Sequence, residues 1–238
     1  MKNKLVPLIA AALLSVAAIN ANATIIAVGD SNITTTNAAF DNATWFNNIL
    51  GTGTDVLVRT GGVNSFQFAT MFNFIGATTA TTTATITAAA LAGVDVFVSS
   101  TQHLYSAAEL AVILAFEQGG GTVFTNGEHS SFPGENAAVN HLLAGIGSTM
   151  LVPAQSLCGL NTLTGAQIAS HPLNAGVNNF QMGCTSRITG GTALLFTDPG
   201  FAMAACENCG EQVPEPGTLA LLGIGLAALG LRRRRTSA

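Results

Sequence analysis

Charged side chains are scarce in this sequence, and lysine is confined to its first residues. Only 8% of the 238 residues are charged, against roughly a quarter in an ordinary soluble domain. Six of the eight cations lie at the two ends of the chain. Between residues 24 and 212 the cations are Arg59 and Arg187, and eleven carboxylates give this region a net charge of −9. Such an acidic body repels phosphate backbones, which excludes nucleic acid as a partner.

Catalytic and repetitive signatures are also missing. No Gly-x-Ser-x-Gly elbow occurs, which excludes an α/β-hydrolase that uses that motif. No repeat of fixed period is present, which argues against solenoids and propellers. Apolar residues reach 48%, and this excludes an intrinsically disordered chain. We expect a folded body that carries no cofactor and no metal.

The N-terminus predicts a secretory signal peptide over residues 1–23. Two lysines within the first four residues form a basic start, and an apolar run from Leu5 to Ala18 follows. Ala21-Asn22-Ala23 then places small residues at the −3 and −1 positions of a cleavage site. The apolar run is too short for a membrane span. We expect an exported chain that starts near Thr24, with residues 24–212 as its folded domain.

Residues 213–238 combine three features in order. The triplet Pro214-Glu215-Pro216 stays extended, because proline cannot enter a helix interior. Thr218 to Leu231 predicts a hydrophobic helix, although its 14 residues are fewer than the ~20 of a full membrane span. The final feature is a cluster of cations that stays in the cytoplasm and fixes the orientation, formed by Arg232, Arg233, Arg234 and Arg235.

Together these features resemble the PEP-CTERM sorting signal of exported bacterial proteins, which are handled by the membrane-embedded enzyme exosortase. The resemblance implies the secretion machinery and exosortase as partners. It also implies transient anchoring in the inner membrane, followed by a final location at the cell surface or in the extracellular matrix. It covers only this terminal segment, and the alternative is a plain C-terminal tail anchor.

The hydrophobic pattern of the body predicts alternating strands and helices. Val94–Val98 is a β-branched run typical of a buried strand, and Ser106-Ala-Ala-Glu109 is a capping box that opens a helix. Gly119-Gly120-Gly121 ends that helix before a strand at 122–125. A second strand–helix–strand unit is predicted between Ile25 and Val58. Both patterns predict βαβ units with parallel strands.

Two further elements complete the predicted domain. A helix after Pro133-Gly134 carries apolar residues at helical spacing from Val139 to Ile146. Ala193–Phe196 and Phe201–Ala205 predict a terminal hairpin. The expected fold is a three-layer α/β domain with a mostly parallel sheet, followed by the C-terminal hydrophobic helix.

The segment from Val94 to Val177 resembles class I glutamine amidotransferase-like domains of the non-catalytic sort, through its strings GVDVFVSSTQHLYSAAELAVILAFEQGGGTVF, NHLLAGIG and HPLNAGV. The resemblance implies a flavodoxin-like sheet. Catalytic members of that family carry a nucleophilic cysteine in a strand-to-helix turn. Here the corresponding turn reads Asn126-Gly127-Glu128-His129-Ser130, so amidotransferase activity is not implied.

Polar residues follow several of the predicted parallel strands. Ligands bind in open α/β sheets outside the carboxyl ends of the strands, and this rim suits a small polar ligand, a sugar or a divalent cation. The alternative is that loops simply collect polar residues. The candidate rim residues are Asp30, Arg59, His103, Glu128 and His129.

Weak catalytic candidates lie in the same loops. Gly29-Asp30-Ser31-Asn32 resembles the opening block of GDSL-type esterases, in which the serine is the nucleophile. The Gly-x-Asn-Asp and Asp-x-x-His elements of that family are missing, and a serine without a positioned base is a weak nucleophile. Glu128 and His129 are the other candidate pair, for acid–base or metal chemistry. A turn serine and solvated loop residues are the plainer interpretation.

The four cysteines are expected to form disulfides in an oxidising compartment. Three pairings are possible for Cys158, Cys184, Cys206 and Cys209. We favour Cys158 with Cys184 and Cys206 with Cys209, the second pair lying in the stalk before the sorting signal. The alternatives are a redox role for Cys-Glu-Asn-Cys and zinc binding by all four.

Thr78 to Thr87 is the most biased stretch of the body, with seven threonines in ten residues. β-branched threonine favours a strand or an extended loop over a helix. We expect a solvated connector, and an adhesive or O-glycosylated patch is the alternative.

Two functions remain open. The first is a non-enzymatic, surface-displayed module that binds a ligand, with extracellular polysaccharide as the candidate. The second is an exported hydrolase that uses Ser31. A histidine within hydrogen-bond reach of Ser31 would favour the hydrolase.

Overall fold

The computed structural model describes residues 24–159, 162–198 and 200–210. The four α-helices in these ranges are α1 (Asn42–Leu50), α2 (Ser65–Phe74), α3 (Ala107–Gln118) and α4 (Pro133–Gly145). The strands are β1 (Thr24–Val28), β2 (Asp55–Arg59), β3 (Thr78–Thr82), β4 (Val96–Ser99), β5 (Thr122–Asn126), β6 (Ser156–Leu157), β7 (Thr162–Thr164), β8 (Asn179–Gln181), β9 (Thr185–Ser186), β10 (Thr192–Asp198) and β11 (Phe201–Glu207). The predicted signal peptide and C-terminal hydrophobic helix lie outside the described residues.

Seven strands form one sheet in the order β10-β11-β1-β5-β4-β2-β3. The five strands β1 to β5 run parallel to one another. Strand β11 runs antiparallel to β1, and β10 pairs antiparallel with β11. The mostly parallel sheet and the terminal hairpin are therefore both confirmed.

Alternate residues of the sheet enter two separate cores, as the two-residue period of a strand requires. In β1, Ile26 and Val28 belong to the core that includes α1 and α2, whereas Ile25 and Ala27 belong to the core that includes α3 and α4. The first core contains an aromatic cluster with mainly edge-to-face contacts between Trp45, Phe46, Phe68, Phe72, Phe124 and Phe180. Two helices thus cover each face, and the predicted three-layer fold is confirmed.

The strand order agrees with the flavodoxin-like prediction only in part. In a flavodoxin-like sheet counted from the first strand, the order is 2-1-3-4-5. Here β1 lies between β5 and β11 instead. Counted from β2, however, the five parallel strands follow that order, with β1 in the place of the fifth strand. The chain therefore builds the same parallel core from a different starting point.

The predicted start and end of α3 are confirmed. The Ser106 hydroxyl accepts a hydrogen bond from the backbone N–H of Glu109, and the Glu109 carboxylate accepts one from the backbone N–H of Ser106 at 2.9 Å. This is a complete capping box. The helix ends at Gln118, directly before the glycine run.

The threonine-rich segment is only partly a connector. Its first five residues form β3, which pairs in parallel with β2 at the edge of the sheet. The expectation of a solvated connector is wrong for these five residues. Their β-branched side chains fit a strand, and β2 supplies the hydrogen-bonding partners.

Both favoured disulfides are present, Cys158–Cys184 and Cys206–Cys209. Cys206 belongs to β11 and is fully buried, and Cys209 is also buried. The prediction that this second pair lies in a stalk is therefore wrong. No helix among the described residues is long and apolar enough to cross a membrane.

Candidate functional site

At two places in the sheet, the helices that follow two neighbouring parallel strands pack on opposite faces. Strand β1 leads to α1 on one face, and its neighbour β5 leads to α4 on the other. The same divergence separates β2, which leads to α2, from β4, which leads to α3. Such switch points open crevices at the carboxyl ends of the strands. The five predicted rim residues lie at the ends of these four strands or in the loops that follow them.

Ser31 and Glu128 meet at the β1/β5 crevice. The Ser31 hydroxyl donates a hydrogen bond to the Glu128 carboxylate, and the amide of Asn64 donates to the Ser31 oxygen at 3.0 Å. Ser31 is 0% exposed and Glu128 1%. The partners of Ser31 are thus a carboxylate and an amide, and no histidine of the described residues is among them.

Asp30 is fully buried beside this pair. Its carboxylate accepts hydrogen bonds from the backbone N–H groups of Asn32, at 2.7 Å, and Gly183. Burial raises the pKa of Asp30 to about 6, and the negative charge of Glu128 adds to the increase, while the hydrogen bonds from Asn32 and Gly183 oppose it.

The first turn of α4 covers the crevices with two residues that the sequence analysis did not identify. Glu135 Oε1 accepts hydrogen bonds from the backbone N–H of Val63 at 2.8 Å and from the Gln102 amide at 3.1 Å. Asn136 accepts a hydrogen bond from the backbone N–H of Glu128 at 2.9 Å. A Glu-Asn pair directly after Pro133-Gly134 is a recognisable helix start, but its burial depends on the packing of α4.

Arg59 lies beneath the rim and is not available to a ligand. It is 4% exposed and forms an ion pair with Glu109, with 3.7 Å between nitrogen and oxygen. Its guanidinium also donates to the backbone carbonyls of Thr83 and Ala84 and lies 5.3 Å from the ring centroid of Tyr105. Arg59 therefore holds the segment after β3 against α3.

The pKa values of Glu109 and Tyr105 are shifted by their burial and by their hydrogen bonds. Burial by itself would raise the pKa of Glu109, but hydrogen bonds from the backbone of Ser106 and Ile86 and from the His103 ring lower it to about 2. Burial raises the pKa of Tyr105 well above its ordinary value. His103 thus pairs with Glu109, at 3.2 Å.

His129 and Glu128 do not form a side-chain pair. The Glu128 carboxylate accepts a hydrogen bond from the backbone N–H of His129 at 2.9 Å. The His129 ring lies edge-on to Phe132, with 4.8 Å between their centroids. The half-buried imidazole therefore belongs to the outer rim, whereas Glu128 belongs to the interior.

A disulfide-bonded loop closes the crevice beside β1. The backbone N–H of Ser186 in β9 donates to the carbonyl of Gly29 at 2.8 Å, and Gly183 of the same loop donates to Asp30. Cys184 ties this loop to Cys158. A Cβ atom on Gly29 would lie only 1.9 Å from the Ser186 carbonyl oxygen, so glycine is required for this close approach.

One group of three potential metal ligands occurs among the described residues. His171, Cys206 and Cys209 place their ligand atoms within 4.8 Å of one another. The two sulfurs are joined in a disulfide, and metal coordination by cysteine requires thiolates. The carboxylates of Asp30, Glu128 and Glu135 do not form such a group, in which all ligand atoms lie within 4.8 Å of one another.

Comparison with protein families assigns the end of the chain. Residues 212–235 match the PEP-CTERM protein-sorting motif. Searches of curated proteins and of solved structures return no match to this chain. The motif indicates an exported protein that exosortase sorts toward the cell surface.

Proposed function

We propose that this protein is a non-enzymatic, surface-displayed α/β module whose carboxyl edge binds extracellular polysaccharide. The PEP-CTERM match carries the proposal, because it indicates delivery to the cell surface. In this proposal residues 1–23 are removed on export, residues 24–212 form the binding domain, and residues 213–238 are the sorting signal. Thr218 to Leu231 holds the chain in the inner membrane until exosortase acts near Glu215.

The buried state of Ser31 supports binding over catalysis. An acyl-transfer nucleophile needs a base and access to substrate, and Ser31 is fully buried. Its carboxylate partner and Asn64 hold the hydroxyl in place. His103 is engaged by Glu109, and His129 packs on Phe132. These contacts of the described residues therefore do not favour the hydrolase alternative.

The outer rim of the carboxyl edge combines apolar surface with polar groups, as ligand sites commonly do. Phe66, in the first turn of α2, is 66% exposed, and Leu104, between β4 and α3, is 58% exposed. His129 and Phe132 add a half-buried ring pair at the start of α4. Aromatic faces suit the apolar faces of sugar rings, and the acidic body favours a neutral saccharide over an anionic one.

A glycan array probed with the oxidised, exported chain tests the proposal. We expect binding to neutral extracellular glycans, and a loss of at least tenfold in affinity for Phe66→Ala. Phe74→Ala is the matched control, because Phe74 is 59% exposed at the opposite end of the same helix. No glycan binding, or equal losses in both variants, would exclude this edge as the binding surface. Ester hydrolysis that disappears in Ser31→Ala would instead support the hydrolase.

A further inference from the structure

After β4, at the end of β5 and in the first turn of α4, three buried polar side chains have hydrogen-bonding atoms without a partner. They are Ser100, whose hydroxyl is unpartnered, Asn126, whose amide oxygen and nitrogen are both unpartnered, and Glu135, whose Oε2 is unpartnered. Their exposures are 0%, 1% and 0%. Buried polar groups without partners are rare in folded proteins, because each one loses its hydrogen bonds to water and gains none in return.

The sheet register makes Ser100 and Asn126 neighbours, and Glu135 reaches the backbone of Ser100 from α4. Ser99 of β4 pairs with Thr125 of β5, so Ser100 and Asn126 are the next neighbours along the two strands. Side chains alternate along a strand, so both point to the face opposite that of Ser99 and Thr125. Glu135 approaches from α4, since a Cβ atom placed on Gly62 would lie 2.7 Å from Glu135 Oε2 and 3.0 Å from the Ser100 carbonyl oxygen.

Two buried acidic side chains at this edge have no cationic partner among the described residues. Glu135 and Glu128 are buried carboxylates, and the ion pairs among the described residues are those of Glu109 with Arg59 and His103. Neither Glu135 nor Glu128 is thus paired with a cationic side chain. Burial of an unpaired carboxylate is costly, and proteins meet that cost by pairing the charge or by coordinating a metal.

We infer that these three buried side chains bind one hard divalent cation, with calcium as the best fit. Glu135 Oε2, the Ser100 hydroxyl oxygen and the Asn126 amide oxygen would be protein ligands, and water would complete the shell. Calcium accepts six to eight oxygen ligands of mixed type in flexible geometry, whereas magnesium requires a near-ideal octahedron. Because the carboxylates at this edge do not converge, the shell relies on hydroxyl and amide oxygens as well.

The inference concerns the same edge as the polysaccharide proposal and rests on it only for biological use. A bound cation would neutralise the interior beneath the rim and fix the ends of β4 and β5 against α4. Glycan binding at the rim would then depend on the cation. Cation binding and glycan binding are measured separately, so either proposal can be refuted without the other.

Calorimetric titration of the chelator-treated, oxidised exported chain with calcium chloride and then with magnesium chloride tests the inference. We expect one calcium per chain and weaker binding of magnesium. Glu135→Gln keeps the size of the side chain and the oxygen that accepts from Val63, and it should weaken calcium binding at least tenfold. Glu117→Gln is the matched control, because Glu117 is also a buried glutamate on a neighbouring helix and its partner is Asn208.

Ser100→Ala is a second variant if Glu135→Gln does not fold, and it should weaken calcium binding severalfold. No heat of binding with either metal would overturn the inference and would assign the unpartnered atoms to buried water. Equal calcium affinity in Glu135→Gln and wild type would overturn it as well. Glycan binding that persists in chelator would separate the two proposals, since the rim would then act without a cation.

Discussion

Arg59 and Glu109 form an ion pair whose side chains are 5% and 4% exposed. The pair joins the carboxyl end of β2 to the first turn of α3. The threonine-rich segment packs against this pair. Arg59 donates hydrogen bonds to its backbone carbonyls, and the backbone N–H of Ile86 donates one to Glu109 at 3.1 Å. One of the two cations in the acidic body is thus used to hold the fold.

Glu109→Gln should destabilise the protein by about 3–5 kcal/mol, because it leaves the Arg59 charge buried without its carboxylate partner. Glutamine retains the length of the side chain, so the loss reports the charge more than the packing. Urea unfolding followed by circular dichroism measures the effect. Asp198→Asn is the control, since Asp198 is exposed, and it should change the free energy of unfolding by less than about 0.5 kcal/mol.

The low pKa of Glu109 predicts an acid-sensitive fold. Its pKa is about 2 in the folded protein against 4.5 as an ordinary value. A carboxyl with a lowered folded pKa stabilises the protein above its unfolded pKa. That contribution, on the order of 3 kcal/mol, is lost as pH falls from about 4.5 to about 2. Unfolding of wild type and Glu109→Gln across this pH range should show the two stabilities converging, and parallel curves would contradict the prediction.

Gly29→Ala should destabilise the protein by about 2 kcal/mol or more, because the new methyl group would overlap the backbone of Ser186. The displaced loop carries Gly183, so the contact with Asp30 would be disturbed too. Gly210→Ala serves as the control, since nothing lies within 4 Å of its Cβ position. Thermal unfolding compares the two variants, and equal melting temperatures would show that the loop moves freely.

The two disulfides should differ in their contribution to stability. Cys158–Cys184 spans 26 residues, whereas Cys206–Cys209 spans three. On the loop-entropy model the longer bridge contributes about 3 kcal/mol and the shorter one about 2. Paired serine replacements at each bridge, followed by urea unfolding, measure the difference. Non-reducing peptide mapping of envelope-isolated protein should recover both bridges, and four free thiols there would refute them.

The sorting signal predicts a change in the mature C-terminus. Glu215→Ala should leave the protein exported but uncleaved, with its C-terminal segment attached, because the Pro-Glu-Pro triplet is altered. Replacement of Arg232 to Arg235 should weaken retention before processing, since each arginine costs about +2.5 kcal/mol or more to move through the membrane core. Mass spectrometry of surface-isolated protein reads both results. A mature wild-type form that still ends in the arginine run would mean that the segment is only an anchor.

Local patterns in the sequence were sufficient for much of the architecture. The capping box at Ser106, the glycine run after α3 and the β-branched strands predicted the βαβ units, because these signals act over a few neighbouring residues. The C-terminal sorting motif was also predicted from the sequence, because the order and composition of its residues define it, and the family match confirms it. Of the three possible cysteine pairings, the favoured one, Cys158 with Cys184 and Cys206 with Cys209, is present.

Tertiary structure alone decided where the polar residues lie. Arg59, Asp30 and Glu128 were predicted at a rim, and their positions after the strands are right, but all three are buried. α4 and the Cys184 loop pack over Glu128 and Asp30, whereas the segment after β3 and α3 enclose Arg59. Glu135, Ser100 and Asn126 were not among the predicted site residues, and no metal was expected. Their burial also depends on tertiary packing. Burial and missing partners arise only when segments distant in sequence meet, whereas helix caps and strand patterns are fixed by adjacent residues.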